Sequence, residues 1–400
     1  MPSRPKPDIF AKFRALQDRH AQIKEGTGVD PLGMRIDRMD SPTQAWIDGR
    51  PVILMGSNNY LGLTFSPDAL AAATEALRAF GTGTTGSRVA NGSYACHQGI
   101  ERQLADFYGC RRAVLFTTGY QANVGFISAI AGKDDILLID SDSHASIYDG
   151  CKLSDATIYR FRHNDPQDLA RRLERLPRHA CKMIVVEGIY SMLGDYAPLR
   201  ELVAVARRYG AYIMVDEAHS LGVLGETGRG LTQHLGLGEE VDFIIGTFSK
   251  SVGTIGGFCV SNHDALEAVR IAARAYLFTA SLPPSVVASA SITLERIRTD
   301  PSLRTRLWSN TDYLYQGLQA LGLPIGPNKT PVIGITVPDT AKALRGWRTL
   351  LDAGVYVNLA LPPATPSNAA LLRCSLCAAH TREQLDTVLA AFARVRDQIG

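Results

Sequence analysis

Residues 212–219 read Tyr212-Ile213-Met214-Val215-Asp216-Glu217-Ala218-His219. A short apolar run without alternation marks a strand buried on both faces of a sheet, and this one ends on a carboxylate. The pattern recurs. Ala113-Val114-Leu115-Phe116, Asp135-Ile136-Leu137-Leu138-Ile139-Asp140, Met183-Ile184-Val185-Val186-Glu187, Phe243-Ile244-Ile245-Gly246 and Gly257-Phe258-Cys259-Val260 are further runs of the same kind, with helical stretches among them. Apolar strands alternating with helices predict an α/β fold on a large, mainly parallel sheet covered on both faces. Ligands of such sheets collect at the carboxyl ends of the strands, where Asp140, Glu187, Asp216 and Gly246 stand.

Lys250 follows Asp216 by 34 residues, within Gly246-Thr247-Phe248-Ser249-Lys250-Ser251-Val252-Gly253. A lone lysine is usually a solvated surface charge; here hydroxyls and glycines surround it, which allows close approach of a phosphate. A carboxylate at a strand end holds a pyridinium nitrogen protonated, and a lysine amine forms a Schiff base. Together these are the requirements for pyridoxal 5'-phosphate (PLP) used as an electron sink. The run ending at Phe116 passes into Thr117-Thr118-Gly119-Tyr120-Gln121-Ala122-Asn123. This turn opens a helix, whose first N–H groups, with Gly119 permitting close approach, make an anion site. Tyr120 is placed near the ring. His219 leaves the strand end that carries Asp216, and His144 follows the end at Asp140, so both are assigned to the cofactor. His20, His163, His179, His234 and His263 read as ordinary satisfied groups, and His97 is left open.

The chain has 400 residues, 46% hydrophobic and 20% charged, enough to bury a large core over two or three domains. A formal charge of +3 gives no reason to expect nucleic acid as a partner. No apolar run reaches the roughly 18–20 residues of a membrane span. Met1-Pro2-Ser3-Arg4-Pro5-Lys6-Pro7 carries charge without the apolar core of a signal peptide, so a cytoplasmic location is expected. Seven cysteines argue against a disulfide framework, and no metal site is expected. Cys374 and Cys377 read as buried small hydrophobes. Three parts are expected: an N-terminal arm and helix over 1–51, a large PLP-binding α/β domain over 52–285, and a smaller C-terminal α+β domain over 286–400. The last should hold a long helical stretch near 285–321, strands near 332–337, 355–359 and 371–376, and a terminal helix from about Arg382.

Several stretches carry a family resemblance over nearly the whole chain. They are Asn59-Tyr60-Leu61-Gly62-Leu63, Gly81-Thr82-Gly83 leading to Gly86-Ser87-Arg88, Asp142-Ser143-His144-Ala145-Ser146, Glu187-Gly188-Ile189-Tyr190-Ser191-Met192-Leu193-Gly194-Asp195, Asp216-Glu217-Ala218-His219-Ser220 and Pro362-Pro363-Ala364-Thr365-Pro366. The chain resembles an α-oxoamine synthase, a fold-type I PLP-dependent transferase that condenses an amino acid with an acyl thioester and loses CO2. Thr247-Phe248-Ser249-Lys250-Ser251-Val252-Gly253-Thr254 and Phe278-Thr279-Ala280-Ser281-Leu282-Pro283-Pro284-Ser285 are similar to the soluble bacterial serine palmitoyltransferase branch. That likeness implies L-serine plus a long-chain acyl-CoA giving 3-oxosphinganine, CoA and CO2, in a homodimer with shared active sites. It leaves room for peripheral membrane contact. It also implies roles: Lys250 as Schiff-base lysine and α-proton base, Asp216 on the pyridinium nitrogen, His144 stacked on the ring, and His219 on the cofactor oxygen. Gly119, Tyr120, Thr247 and Ser249 would surround the phosphate or the lysine linkage, and Thr279 would reach the phosphate of the neighbouring subunit. Asn59, His144 and Arg373 would meet the substrate, Arg373 by a two-pronged bond to its carboxylate.

The chain departs from that branch at Leu361, where an arginine is expected before the Pro-Pro-Ala-Thr-Pro loop, and at Asn58, where a tyrosine is expected. Neither touches the PLP chemistry; both bear on the amino acid and the acyl carrier. Glycine or alanine, a different acyl-CoA, or an acyl-carrier protein therefore stay open as alternatives. A non-catalytic partner subunit of the family would lack the lysine that stands at Lys250.

Overall fold

The computed structural model describes residues 6–399; Met1–Pro5, the start of the expected arm, and Gly400 lie outside the described residues. The chain forms fourteen strands among these residues. The first three, β1 (Ile36–Ser41), β2 (Gln44–Ile47) and β3 (Arg50–Leu54), make an antiparallel meander. Seven more, β4 (Arg112–Phe116), β5 (Ile136–Asp140), β6 (Thr157–Phe161), β7 (Lys182–Glu187), β8 (Tyr212–Asp216), β9 (Phe243–Thr247) and β10 (Gly257–Ser261), form the central sheet in the order β4-β10-β9-β8-β7-β5-β6. The last four are β11 (Val332–Val337), β12 (Val355–Tyr356), β13 (Asn358–Ala360) and β14 (Ala370–Ser375).

Strands β5 to β9 run parallel to one another, and β10 alone is antiparallel to both its neighbours. This is the mainly parallel sheet expected from the apolar runs. Its two faces feed different cores. Leu138, Ile184, Ile213 and Val215 enter one cluster, and Leu137, Met183, Val185 and Met214 enter the other. Alternate residues of a strand point to opposite faces, so a strand covered by helices on both sides must be apolar at every position. The carboxyl ends are then where polar groups can gather. Phe116, Asp140, Glu187, Asp216 and Thr247 end their strands on that edge, with Glu187 level with Asp216. The chain from β4 crosses through helix Gly119–Ile130 to β5 on the far side of β7, and this reversal opens a crevice at the edge.

Four features differ from the expectation. The meander β1–β3 was not foreseen as strands, because β1 reads Ile-Asp-Arg-Met-Asp-Ser and is mostly exposed. β12 pairs in parallel with β3, Val355 opposite Ile53, so the N-terminal arm and the C-terminal part share one sheet. The stretch expected to be helical near 285–321 is two helices, Pro284–Thr299 and Pro301–Ala320. Pro301 cannot continue the first, and the Asp300 side chain accepts from Ser302 N to cap the second. The edge strand β6 also escaped notice, four of its five positions being exposed. The three-stranded sheet β11-β14-β13 and the terminal helix Arg382–Ile399 stand where expected.

Glu217, wholly buried just past β8, shapes the loop beyond the strand. Its carboxylate accepts from Leu231 N at 2.9 Å, Thr232 N at 2.7 Å, and the hydroxyls of Thr232 and Ser220. Gly230 and Gly188 pack so close to it that a Cβ at either would meet its carboxylate within 2.4 Å. Removing the carboxylate strands two buried N–H donors. Glu217→Ala is expected to lower stability by about 3 kcal/mol, from roughly 1–3 per unsatisfied buried group, read as a shift in urea midpoint; a change within about 0.5 kcal/mol would contradict this role.

Candidate active site

The first turn of helix Gly119–Ile130 is set by Thr118, whose hydroxyl accepts from Gln121 N at 3.0 Å. The N–H groups of Gly119 and Tyr120 have no acceptor within the helix and face the strand-end crevice. A Cβ on Gly119 would lie 2.7 Å from the Thr247 Cβ, and one on Gly257 would lie 2.6 Å from Gly119 N. Glycine is thus what lets this helix start press against β9 and β10. Thr247 Oγ1 donates to Gly256 O at 2.9 Å and lies 2.9 Å from Ser249 Oγ, which fixes the turn that carries Lys250.

These elements enclose a cavity of about 270 Å3. Gly119, Tyr120, His144, Asp216, His219, Thr247, Ser249 and Lys250 all line it, which brings together eight of the residues assigned from sequence. Asp216 is 5% exposed; Oδ1 accepts from Ala218 N at 2.9 Å and Oδ2 from Asn123 Nδ2 at 2.7 Å. Among the described residues neither oxygen is ion-paired. The Lys250 amine makes no hydrogen bond or ion pair there either. Burial brings its pKa down to about 8; Asp216 and Glu187 resist this and Arg373 adds to it.

His144 stands open to the cavity and caps helix Ala145–Leu153, with Ser146 Oγ 2.7 Å from Nδ1. Burial of its inner side lowers its pKa, opposed by Asp216 and assisted by Lys250. His219 is 5% exposed, with Nδ1 2.6 Å from Tyr60 Oη. Burial drives it well below the usual histidine range, and the charges of Lys250 and Arg373 add to that. Its ring is therefore neutral at physiological pH. Nδ1 is engaged by Tyr60, and the ring lines the cavity.

Of the other assignments, Thr279, Asn59 and Arg373 do not line the cavity, and Tyr120 lines it without turning its hydroxyl inward. Tyr120 turns its hydroxyl outward onto Asp149 at 2.6 Å. Thr279 accepts from Gln121 Nε2 at 3.3 Å. Asn59 donates to Thr64 Oγ1 at 2.7 Å. Arg373, on β14 and 6% exposed, donates Nε–H to Ser191 O at 2.6 Å and Nη2–H to Asn58 Oδ1 at 3.0 Å. That engages the Nε–Nη2 edge of the guanidinium, whose charge also acts on the Tyr60 hydroxyl. Asn58 thus anchors Arg373, while Leu361 is 9% exposed and belongs to the apolar core. His97, left open from sequence, is structural: its Nδ1 accepts from Tyr94 N and its Nε2 lies 2.8 Å from Leu282 O. All seven cysteines are free, Cys374 and Cys377 buried.

Asn123 and Glu187 also line the cavity and were not assigned from sequence. Asn123 bonds both Asp216 and Ser146 Oγ, the latter at 2.9 Å. Glu187 accepts from the His144 N–H, and burial, reinforced by Asp216, raises its pKa well above the carboxylate range. The clue to Asn123 was its place one turn after Gly119; the clue to Glu187 was its strand-end position, shared with Asp216.

Residues 50–392 match the family model for aminotransferase class I and II. The chain belongs to that family. It is 54% identical to a serine palmitoyltransferase of Caulobacter vibrioides, covering 98% of this chain and 97% of that protein. A serine palmitoyltransferase of Sphingomonas paucimobilis is 49% identical over 99% of this chain and 95% of its own length. A solved structure of a serine palmitoyltransferase variant from S. paucimobilis, with a bound PLP–myriocin aldimine, superposes with a TM-score of 0.97, covering 98% of this chain and 100% of that one. The α-oxoamine synthase resemblance read from the motifs agrees with these relatives.

The depressed Lys250 pKa has a direct consequence in cofactor-free protein. Its neutral, reactive amine should accumulate as pH rises through about 8, so labelling by an amine-reactive reagent, followed by mass spectrometry, should show that midpoint. Exposed lysines should label only at higher pH. A Lys250 profile coincident with theirs would contradict the burial assigned to it.

Proposed function

We propose that this chain is a PLP-dependent acyltransferase that condenses L-serine with a long-chain acyl-CoA, palmitoyl-CoA in type, to 3-oxosphinganine, CoA and CO2, the entry step of sphingolipid biosynthesis. The observation that carries the reading is the meeting of a free Lys250 amine and an unpaired, buried Asp216 carboxylate in one cavity beside a helix start. PLP fits these residues: its phosphate suits the N–H groups at Gly119 and Tyr120 with Thr247 and Ser249, and its pyridinium suits Asp216. When bound, PLP supplies the electron sink for a carbanion at the amino acid's α-carbon.

The chain's own groups do the rest. Lys250, with its pKa near 8, is able both to take the α-proton on Nζ and to give it back. Asp216, held by Asn123 and Ala218, keeps a proton on the ring nitrogen. His144 and His219 line the same cavity; His144 would cover one face of the bound ring and His219 would serve its oxygen. Arg373 holds the serine carboxylate, and Asn58 and Ser191 hold Arg373.

The site belongs to a homodimer in this reading, with Thr279 of the partner subunit completing the phosphate pocket. The location is cytoplasmic; among the described residues no helix is long and apolar enough to cross a membrane. Leu361 and Asn58 are what keep glycine, alanine or an acyl-carrier donor in view. Spectral titration of the bound cofactor with serine, alanine and glycine, then product mass with acyl-CoAs, decides among them.

Lys250→Ala is expected to abolish condensation while the protein folds and holds PLP non-covalently; turnover within a few-fold of the parent would refute the lysine's role. Arg373→Ala should raise the apparent KM for serine by about 10- to 100-fold, the order of a lost charge-assisted pair. Asn58→Ala should give a smaller rise of the same kind by loosening the arginine. Serine titrations that superpose for Arg373→Ala and the parent would place the carboxylate elsewhere.

A further inference from the structure

His163, read from sequence as an ordinary satisfied group, lies just past β6 and bridges two buried carboxylates. Its Nδ1 is 2.8 Å from Asp140 Oδ1 and its Nε2 is 2.6 Å from Asp195 Oδ2. Asp140 is wholly buried and Asp195 is 6% exposed. Between two ionised carboxylates a neutral imidazole would turn a lone pair toward one of them, whereas a ring with N–H donors on both nitrogens, a cation, satisfies both. Asp140, Asp142 and His163 are also spaced as metal ligands would be, but a ring with two N–H bonds offers no lone pair to an ion.

The two carboxylates belong to different parts of the active site. Asp140 Oδ1 also accepts from Asp142 N at 2.9 Å, and its backbone oxygen accepts from Ser143 N at 3.2 Å, shaping the loop that delivers His144. The backbone carbonyl of Asp195 closes the turn 190–195 by accepting from Tyr190 N at 2.9 Å. Within that turn, Ser191 O receives the Arg373 Nε–H. Asn164 doubles the bridge, its N–H on Asp140 Oδ2 and its Nδ2 on Asp195 Oδ2, both at 2.9 Å.

We propose that His163 is a positioning residue, a bridge between two carboxylates that locks the His144 loop to the turn anchoring Arg373 and so sets the spacing between cofactor and amino-acid carboxylate. The proposal rests on the function proposed above for the cavity, and the bridge itself stands on geometry alone. The groups that face the ring are Asp140 and Asp142 from the β5 loop, and Asp195 and the edge-on Tyr190 ring at 4.5 Å from the turn. On its own segment Arg162 pairs with Asp165 at 2.6 Å. Burial alone would lower the ring's pKa, but Asp140 and Asp195 outweigh it and raise the pKa to about 10.

His163→Gln keeps one donor and removes the charge. In the holoenzyme it should raise the serine KM by about ten-fold, with kcat falling less, since a small misplacement of a binding group has effects of this order or larger. A folded variant with unchanged serine KM would overturn the proposal. Two readouts do not depend on turnover. Histidine-labelled NMR should show the His163 ring protonated through pH 8.5, with its charge lost near the value of about 10; loss near 6.5 would overturn the proposal. The folded pKa is raised, so the stability gained from the bridge is complete below the unfolded value of 6.5 and declines to nothing as pH rises through about 10. The stability difference between parent and His163→Gln should follow that course, and a pH-independent difference would also overturn it. If the parent's cofactor absorbance ignores serine, the function reading fails, whereas the NMR and stability outcomes still judge the bridge.

Discussion

The structure turns on a carboxylate, Asp216, buried at the end of a central strand and held in no ion pair among the described residues. Taking a carboxylate out of water is costly, and two hydrogen bonds from Asn123 and Ala218 offset only part of that cost. The remainder is a field directed into the cavity. It resists the loss of charge from Lys250 and pushes Glu187 toward its neutral form. A ligand with a cationic ring relieves the same strain, so the apo arrangement is already complementary to one kind of guest.

Around that charge the site is assembled from distant pieces of chain. Asn58 comes from the segment after β3, Ser191 from the turn after β7, and Arg373 from β14 in the C-terminal sheet. Tyr60, two residues beyond Asn58, reaches His219 after β8. Its hydroxyl also lies 3.3 Å from Asn58 Oδ1, so the arginine and the cofactor-side histidine share one short network. The N-terminal meander and the C-terminal part meet through β3 and β12. The anchor of the arginine and the arginine itself are therefore held by contiguous structure rather than by a flexible arm.

Much of this was legible in the residue order because the physics was local. An apolar run covered on both faces looks the same wherever it stands, so the six strands β4, β5, β7, β8, β9 and β10 could be read one by one. Lys250 and Asp216 could be paired because Asp216 ends β8 and Lys250 follows the end of β9 on the same edge of one sheet. What escaped were the weakly patterned strands: β1, rich in charge, and β6, exposed along most of its length. An edge strand buries little, so its sequence carries little signal. The break at Asp300–Pro301 was visible as residues but was outweighed by the helical pattern on either side.

The sequence alone determined the fold class and the cofactor chemistry and named eight residues that line the cavity, because these follow from apolar periodicity, motif likeness and residue types at strand ends. Tertiary structure decided which of those side chains share a partner. Asn123 became the support of Asp216, Asn58 the anchor of Arg373, and His163 a bridge between two buried carboxylates 55 residues apart, Asp140 and Asp195. Leu361 went into the core instead of the site. Hydrogen bonds and charge pairs act over a few ångströms of space with no regard for distance along the chain, so only the folded arrangement reveals them.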